Sequence, residues 1–254
     1  MIFAAGLGTR LLPLTNRTPK ALIEVGGMTL LERTIERLAA AGCDRIVINL
    51  HHHAARITEF VEAESVAKWN AAGEVEAPYR WHGAEIFLSL EAEAPLETGG
   101  GLKNARSLFR GDRTILLHNV DVISSIDLER LARRHDETGA VATLAVNRRN
   151  ASRYLVFDDL GLCGRVDSRD GSEEWARMPS ASQWRAGFTG IQAVSPGILD
   201  RVAGDGVFSI MRTYLRLAAA HASILPHDVT GTPWMDVGTP ERLGSAREAY
   251  QRRS

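Results

Sequence analysis

The stretch Ala4-Ala5-Gly6-Leu7-Gly8-Thr9-Arg10, followed by Thr18-Pro19-Lys20, combines two things that a polyphosphate needs: backbone that can bend close to it and cationic side chains. Two glycines directly after an apolar run let successive N–H groups turn inward and meet a phosphate with no Cβ in the way, which makes an anion nest. From Met1 to Ile23 there is no acidic residue, whereas Arg10, Arg17 and Lys20 are all present, so the loop is locally basic. Lysine is scarce, with Lys20, Lys68 and Lys103 the three lysines among 30 basic residues. That scarcity singles out Lys20 as a compact point charge. A glycine turn after a first strand also serves packing alone in many α/β proteins, and both readings stand at this point. A dinucleotide fingerprint would need a small residue at position 11, where the chain has Leu11, and the P-loop spacing of glycine, four residues, then Gly-Lys is absent.

Such a loop needs a strand behind it and helices around it. Ile2 to Ala5 reads as the first strand. Leu30, Leu31, Ile35 and Leu38 recur at helical spacing, with Gly42 as the stop. Strands are expected at Arg45 to Leu50, Ala84 to Leu90 and Thr114 to Asn119, and helices at Ala54 to Val66 and at Leu102 to Phe109, the latter opened by three glycines. This alternation predicts a parallel sheet with helices on both faces. Beyond about residue 140 the order loosens: Val141 to Val146, Arg153 to Phe157 and Gly187 to Val194 read as strands of a mixed edge, and Asp167 to Gln183 as a mobile surface loop. Ser209 to Ala220 and Pro240 to Arg252 complete the chain as helices, and no internal repeat is evident.

Composition narrows the class. With 254 residues and 44% hydrophobic content, the chain can bury the core of one large α/β domain. Thirty basic against 31 acidic residues give a net charge of −1, so nothing global marks the surface for nucleic acid or an anionic membrane. Cys43 and Cys163 each sit in an apolar stretch and read as core thiols of a reducing compartment. The apolar start is too short for a signal peptide and no run of 18 apolar residues occurs, so a cytoplasmic protein is expected.

The segment from Ala4 to Lys20 resembles the signature of nucleotidyltransferases that activate sugar 1-phosphates. It is joined by Glu97-Thr98-Gly99-Gly100-Gly101, Asn119-Val120-Asp121, Phe188-Thr189-Gly190-Ile191 and Trp234-Met235-Asp236-Val237-Gly238-Thr239, in the family's order over nearly the whole chain. The short length and the Glu-Thr-Gly-Gly-Gly block are most similar to N-acetylmuramate-1-phosphate uridylyltransferases, with mannose-1-phosphate guanylyltransferases a second comparison. The resemblance implies a Rossmann-like α/β fold in one domain, with a nucleotide-binding half at 1–135 and a sugar-binding half at 136–254. It implies an NTP and a sugar 1-phosphate as partners, and allows a homo-oligomer. It assigns Arg10 and Lys20, with Asp121, to catalysis. Ala5, Gly6, Gly8, Thr9, Glu97, Thr98, Gly99 and Asn119 then surround the nucleotide, and Gly100, Thr189 and Gly190 lie near the sugar.

The chemistry agrees. A sugar 1-phosphate must bring an anionic oxygen onto the α-phosphorus of a nucleoside triphosphate, so the barrier is charge repulsion plus the need for in-line geometry, and positioning with countercharge should dominate. The nucleophile is ionised at neutral pH, so no general base is needed. Oxygen ligands for Mg²⁺ are needed, and that ion takes one or two carboxylates and completes its shell with phosphate and water. Asp121 follows an apolar strand, Asp236 sits in Trp234-Met235-Asp236-Val237, and the two are the expected metal ligands. Either alone could cap a turn or helix, as Asp127 is expected to do before Leu128. His51-His52-His53 cannot converge easily on one ion from consecutive positions. The five tryptophans read as packing or loop anchors, and Glu91 and Glu93 as solvated. One departure from the family stands out: many members carry a Glu-Lys-Pro segment in the second half, yet no lysine follows Lys103. Arg153 is the candidate replacement on the acceptor phosphate. UTP with an amino-sugar 1-phosphate is the expected pair, with GTP and mannose or heptose 1-phosphate as the alternative. A non-catalytic nucleotide-sugar sensor and an NAD-dependent oxidoreductase are the rivals from other classes.

Overall fold

A computed structural model describes residues 1–69 and 75–252. In chain order the first half holds β1 (Ile2–Phe3), a small hairpin of β2 (Glu24–Val25) and β3 (Met28–Thr29), α1 (Leu30–Ala40), β4 (Arg45–Leu50), α2 (Ala54–Glu64), β5 (Val66–Trp69), β6 (Val75–Trp81), β7 (Ala84–Leu90), α3 (Glu97–Asn104), β8 (Ile115–Asn119), β9 (Val122–Ser124) and α4 (Leu128–Thr138). The second half holds β10 (Ala142–Asn147), β11 (Arg153–Asp158), β12 (Gly161–Asp167), β13 (Glu173–Trp175), β14 (Trp184–Val194), α5 (Ile210–Ala219), β15 (Ile224–Asp228), β16 (Trp234–Asp236) and α6 (Pro240–Gln251).

Twelve of these strands form one α/β sheet in the order β13-β12-β11-β14-β8-β1-β4-β7-β6-β5, with β10 branching from β14 and β15 paired to β10. Its centre, β8-β1-β4-β7, is parallel. The flanks are antiparallel, through β14 on β8 at one side and β6 on β7 at the other. The parallel character read from the sequence therefore belongs to the centre, which alternates with helices, and the mixed edge lies where the helices run out.

Local chemistry explains the central elements. Helix α1 buries Leu30, Leu31, Thr34, Ile35 and Leu38, one face at a spacing of three to four. It starts at a capping box, in which the Glu32 N–H donates to Thr29 Oγ1 and the Thr29 N–H donates back to Glu32 Oε2. Gly42 takes φ 82° just past its end. Asp127 caps α4 as expected, its carboxylate accepting the Arg130 N–H at 2.8 Å. In β4 the pleat sends Ile46, Ile48 and Leu50 into one apolar cluster, with α1, α2 and α4, while Val47 enters another beneath α3 and α5. Burial on both faces is the condition of a parallel strand covered on both sides.

Several boundaries differ from the sequence reading. β1 stops at Phe3, because Ala4 and Ala5 hand their N–H groups to a side chain instead of a neighbouring strand. Helix α2 ends at Glu64 and Val66 opens a strand. The glycines at 99–101 lie inside α3, which begins at Glu97 and ends at Asn104, with a separate 3₁₀ turn over Arg106–Leu108. The expected loop from Asp167 to Gln183 contains β13, paired to β12. That segment is also tied down by Arg177, which forms an ion pair with the buried Asp158, and by the Ser180 N–H, which donates to the same carboxylate at 2.9 Å. Cys163 is buried and Cys43 half-buried, both free thiols. Of the tryptophans, Trp81 is buried and Trp175 exposed; the side chain of Trp69 lies outside the described residues. Among the described residues no helix is long and apolar enough to cross a membrane.

Candidate active site

The parallel strands β8, β1 and β4 all end on the same side, and β1 has one sequence-distant neighbour on each flank. Ligands in open α/β sheets bind outside the carboxyl ends of strands at such a switch point. A cleft of about 440 Å³ opens there, lined by Ala4 to Thr9, Lys20, Asn49, Glu97, Thr98 and Asn119 to Asp121.

The two glycines of the first loop answer to different demands. Gly8 has φ 66°, and a Cβ there would stand 2.8 Å from Thr15 Cγ2, while Thr15 Oγ1 donates to the Gly8 carbonyl at 2.9 Å. Packing and conformation therefore require glycine at 8. At Gly6 a Cβ would meet nothing within 4 Å, so the space above it is open. The backbone N–H groups of Gly6, Leu7 and Gly8 take no hydrogen-bond partner among the described residues. Three successive free donors at the mouth of a cleft form a nest for anionic oxygens.

Beside this loop, Lys20 makes a short ion pair with Asp121, both side chains mostly buried. Asp121 and Asp236 are far apart in sequence but adjacent in space. β9 and β16 pair antiparallel with Asp236 opposite Val122, and the Val237 N–H donates to the Asp121 carbonyl at 2.9 Å. Asp236 is in turn paired with Arg242. Arg10 approaches the same corner from the first loop, since a Cβ on Gly238 would lie 2.7 Å from Arg10 Nη2 and 3.1 Å from Asp236 Oδ1. Among the described residues no group of three or more His, Cys, Asp or Glu could hold a metal ion. Asp121, just before β9, and Asp236, at the end of β16, bring the hard oxygen donors that suit Mg²⁺, which asks little of the protein when phosphate oxygens and water complete its shell.

The segment before α3 contains what the sequence reading missed. Glu91, read as solvated, is 2% exposed, whereas Glu93 is exposed. Glu91 Oε1 accepts from Asn49 Nδ2 at 2.7 Å and Oε2 from the Leu96 N–H at 2.7 Å. Asn49 Oδ1 accepts the N–H groups of Ala4 at 2.7 Å and Ala5 at 3.4 Å. This relay joins the first loop to the turn that opens α3. Gly101 makes room for it, since a Cβ there would lie 2.6 Å from Glu91 Oε1 and 2.7 Å from Asn49 Nδ2. A sequence signal existed: Asn49 and Asn119 are matching polar residues near the ends of apolar parallel strands.

Gly99 and Gly100 are likewise packing positions. Their N–H groups both donate to the Phe208 carbonyl, and a Cβ would strike the Phe208 ring at 99 or the Gly206 carbonyl at 100. Their donors are therefore spent within the chain. Glu97 has φ 57°, an uncommon conformation for a non-glycine residue, and Thr98 Oγ1 accepts the Ile210 N–H at 3.0 Å. The histidines act separately: His51 Nδ1 donates to the Glu91 carbonyl at 2.7 Å and His53 Nε2 to the Thr15 carbonyl at 3.3 Å. Burial, and then its histidine neighbours, hold His52 below its ordinary pKa. His118 is pulled down to about 4 by complete burial, so it is neutral at physiological pH and its Nδ1 donates to the Asn119 carbonyl.

Thr189 and Gly190 do not themselves line the cleft; Gly190, at φ 83°, stands behind Asn119, whose Nδ2 would lie 2.8 Å from a Cβ there. Thr189 is buried, its hydroxyl donating to the Ala145 carbonyl at 2.8 Å and its own carbonyl accepting Trp234 Nε1 at 2.9 Å. Arg153 is not in the cleft. It lines an adjoining hollow that shares Glu97 and Thr98 with the cleft, its side chain 69% exposed and paired with Asp167.

Comparison with known proteins agrees with this geometry. The sequence model of the family described as "Nucleotidyl transferase" matches residues 1–160. The chain is 32% identical to the N-acetylmuramate alpha-1-phosphate uridylyltransferase of Caulobacter vibrioides, over 95% of this chain and 92% of that protein. It is 29% identical to the mannose-1-phosphate guanyltransferase of Yarrowia lipolytica over 98% of this chain, but spans 63% of that protein's length. Among solved structures, a putative glucose-1-phosphate thymidylyltransferase from Bacillus anthracis superposes with a TM-score of 0.73 at 16% identity, covering 98% of this chain and 94% of that one. The inositol-1-phosphate CTP transferase from T. maritima gives 0.70 at 13% identity, covering 98% and 92%.

Proposed function

The chain belongs to the nucleotidyl transferase family, among the sugar-1-phosphate nucleotidyltransferases, and we propose that it moves a uridylyl group from UTP onto an amino-sugar 1-phosphate of the N-acetylmuramate type. The observation that carries the reading is the open row of N–H donors at Gly6, Leu7 and Gly8 beside the Lys20–Asp121 pair. The acceptor choice is supported by likeness to the uridylyltransferase over nearly all of both chains, whereas the guanyltransferase has further length that this chain does not span.

In the proposed reaction a phosphate oxygen of the acceptor attacks the α-phosphorus of UTP. The bond from that phosphorus to the oxygen bridging the β-phosphorus breaks, and pyrophosphate leaves with that oxygen. No proton need be removed, so the protein's task is alignment and charge. The nest receives phosphate oxygens, Lys20 and Arg10 offset their charge, and Asn119 and Thr98 border the nucleotide. Asp121 and Asp236 would hold Mg²⁺, which when bound supplies countercharge to the phosphates. In the free protein Lys20 and Arg242 occupy those two carboxylates, so each aspartate is kept compensated until ligands arrive. Residues 1–135 take the nucleotide in this reading and residues 136–254 the sugar.

A pyrophosphate-release screen of four nucleoside triphosphates against a panel of sugar 1-phosphates tests the proposal. Magnesium-dependent turnover greatest with UTP and N-acetylmuramate 1-phosphate is expected. Turnover greatest with GTP and mannose 1-phosphate would replace the substrate assignment, and nucleotide-sugar binding without turnover by folded protein would favour a sensor.

A further inference from the structure

Arg149 follows β10 and lies with its guanidinium 4.2 Å from the centre of the Trp234 ring. It is half-buried, Nη2 donates a long hydrogen bond of 3.4 Å to the Phe188 carbonyl, and Nε is buried with no acceptor among the described residues. No carboxylate pairs with it within 4.0 Å among the described residues, although Asp236 is the acidic group whose charge it feels most. Its neighbour Arg148 makes the contrast, being exposed and paired with Asp228 at 2.9 Å. Gly187 leaves space for the Arg149 head group, since a Cβ there would stand 3.3 Å from Cζ.

A half-buried cation held by a ring face and by two long hydrogen bonds to the Asn150 and Phe188 carbonyls, with no anion beside it, has only partly replaced its hydration, an arrangement that suits a site where an anion is to arrive. Burial pulls the guanidinium below its ordinary pKa, first among the influences on it, with Asp236 acting the other way; arginine keeps its proton regardless. The place of Arg149 indicates which anion. Trp234, on which it lies, donates to the Thr189 carbonyl and is two residues from Asp236, so the guanidinium lies beside the strand that carries Asp236 and within reach of its charge. The nest and Lys20 are already matched to the nucleotide's phosphates in the proposed function, on which the present inference rests. We propose that Arg149 receives the phosphate of the acceptor and, as a fork held over Trp234, sets the angle at which its oxygen meets the α-phosphorus. Arg153, exposed and paired with Asp167, does not have this role.

Steady-state pyrophosphate release by Arg149→Lys, Arg149→Gln and Arg149→Ala, with Arg148→Ala as the neighbouring control, tests the proposal. Loss of a charge-assisted contact to the acceptor raises the KM for sugar 1-phosphate on the order of 10- to 100-fold. The KM for the nucleotide stays within about twofold, since its contacts are made by other residues. Arg149→Lys retains part of the effect, because it keeps charge and loses the fork. A general loosening of the fold would raise both KM values together. Equal rises in both, or an unchanged acceptor KM in a variant that melts with the wild type, overturns the assignment. Should Arg149→Ala fail to fold, the Lys and Gln variants decide it. Absence of turnover in the wild type with every substrate pair would instead overturn the proposed function.

Discussion

On the first-half wall of the cleft, Ala4 and Ala5 are fastened through Asn49 to Glu91 by buried hydrogen bonds, and Gly8, Gly99, Gly100 and Gly101 sit where almost any side chain would collide. In the second half, by contrast, Arg148, Arg149 and Arg185 lie over Trp184, Trp234 and Tyr154 at 4.2–5.0 Å from the ring centres. Buried hydrogen bonds weaken steeply with misalignment, whereas a cation above a ring keeps much of its attraction when it slides. The first region is thus cut to a fixed shape, as the proposed nest for phosphate oxygens would need. The other region has room to adjust, as the acceptor side of the proposed reaction would need.

The largest effect expected from this contrast is on Asp121. Asp121→Asn keeps shape and removes charge, and turnover falls on the order of 10²-fold or more, about 2.7 kcal/mol of barrier. If Asp121 and Asp236 act as one unit, the double Asn variant is little worse than the worse single one, and turnover measured against magnesium concentration checks this. Additive losses with unchanged magnesium dependence would break the shared role of the two aspartates.

Next is a rigid fixture of the second half, Asp158 with Arg177. The Arg177 guanidinium holds the Asp158 carboxyl well below the usual carboxylate range. A depressed folded-state pKa means that the pair stabilises the protein above the unfolded carboxylate pKa of about 4, and that this stabilisation is lost as pH falls further. Asp158→Asn, which leaves Arg177 without its partner, is expected to lower stability by about 3 kcal/mol at pH 7. The difference from wild type should shrink below about pH 4. Denaturant melts across pH read both, and a constant difference would show that packing, not charge, holds this segment.

A smaller effect separates the two kinds of glycine. Gly101→Ala pushes a methyl into the Glu91–Asn49 relay and should cost about 2 kcal/mol of stability. Gly6→Ala meets open space and should change stability by less than about 0.5 kcal/mol, yet raise the KM for the nucleotide. Equal stability losses would mean that Gly6 serves packing too. Smallest is Arg153→Ala, for which the acceptor KM should change less than about threefold, in keeping with an exposed ion pair.

The same contrast governs what could be read from the sequence. Where backbone must come close to backbone or ligand, residue type is forced, and the first loop with the Asn-Val-Asp and Trp-Met-Asp blocks could be recognised and placed at strand ends. The roles within those blocks were less legible. Gly99 and Gly100 looked like ligand contacts because a glycine required by Phe208 and one required by a phosphate are the same letter. Glu91 looked solvated because its partners, Asn49 and the Leu96 N–H, come together through tertiary structure alone. Arg149 is one of many arginines, and its lack of a carboxylate partner is a property of space. β5, β6 and β13 escaped notice for a related reason: short antiparallel strands at the flanks of a sheet carry weak periodicity.

The end of the sheet at β13 bears on how the protein behaves in a crowded solution. A terminal strand offers unpaired N–H and C=O groups to any other chain that comes by, and a long flat apolar one seeds aggregation. Here that strand is three residues long, wholly exposed, and carries Glu173 and Glu174 in succession. Its glutamates are engaged within the chain, Glu174 by Arg165 and Glu173 by the Trp175 indole N–H. The sheet thereby offers little edge for growth on that side, through brevity and charged side chains already paired, and the hollow between β12 and α5 remains open to solvent.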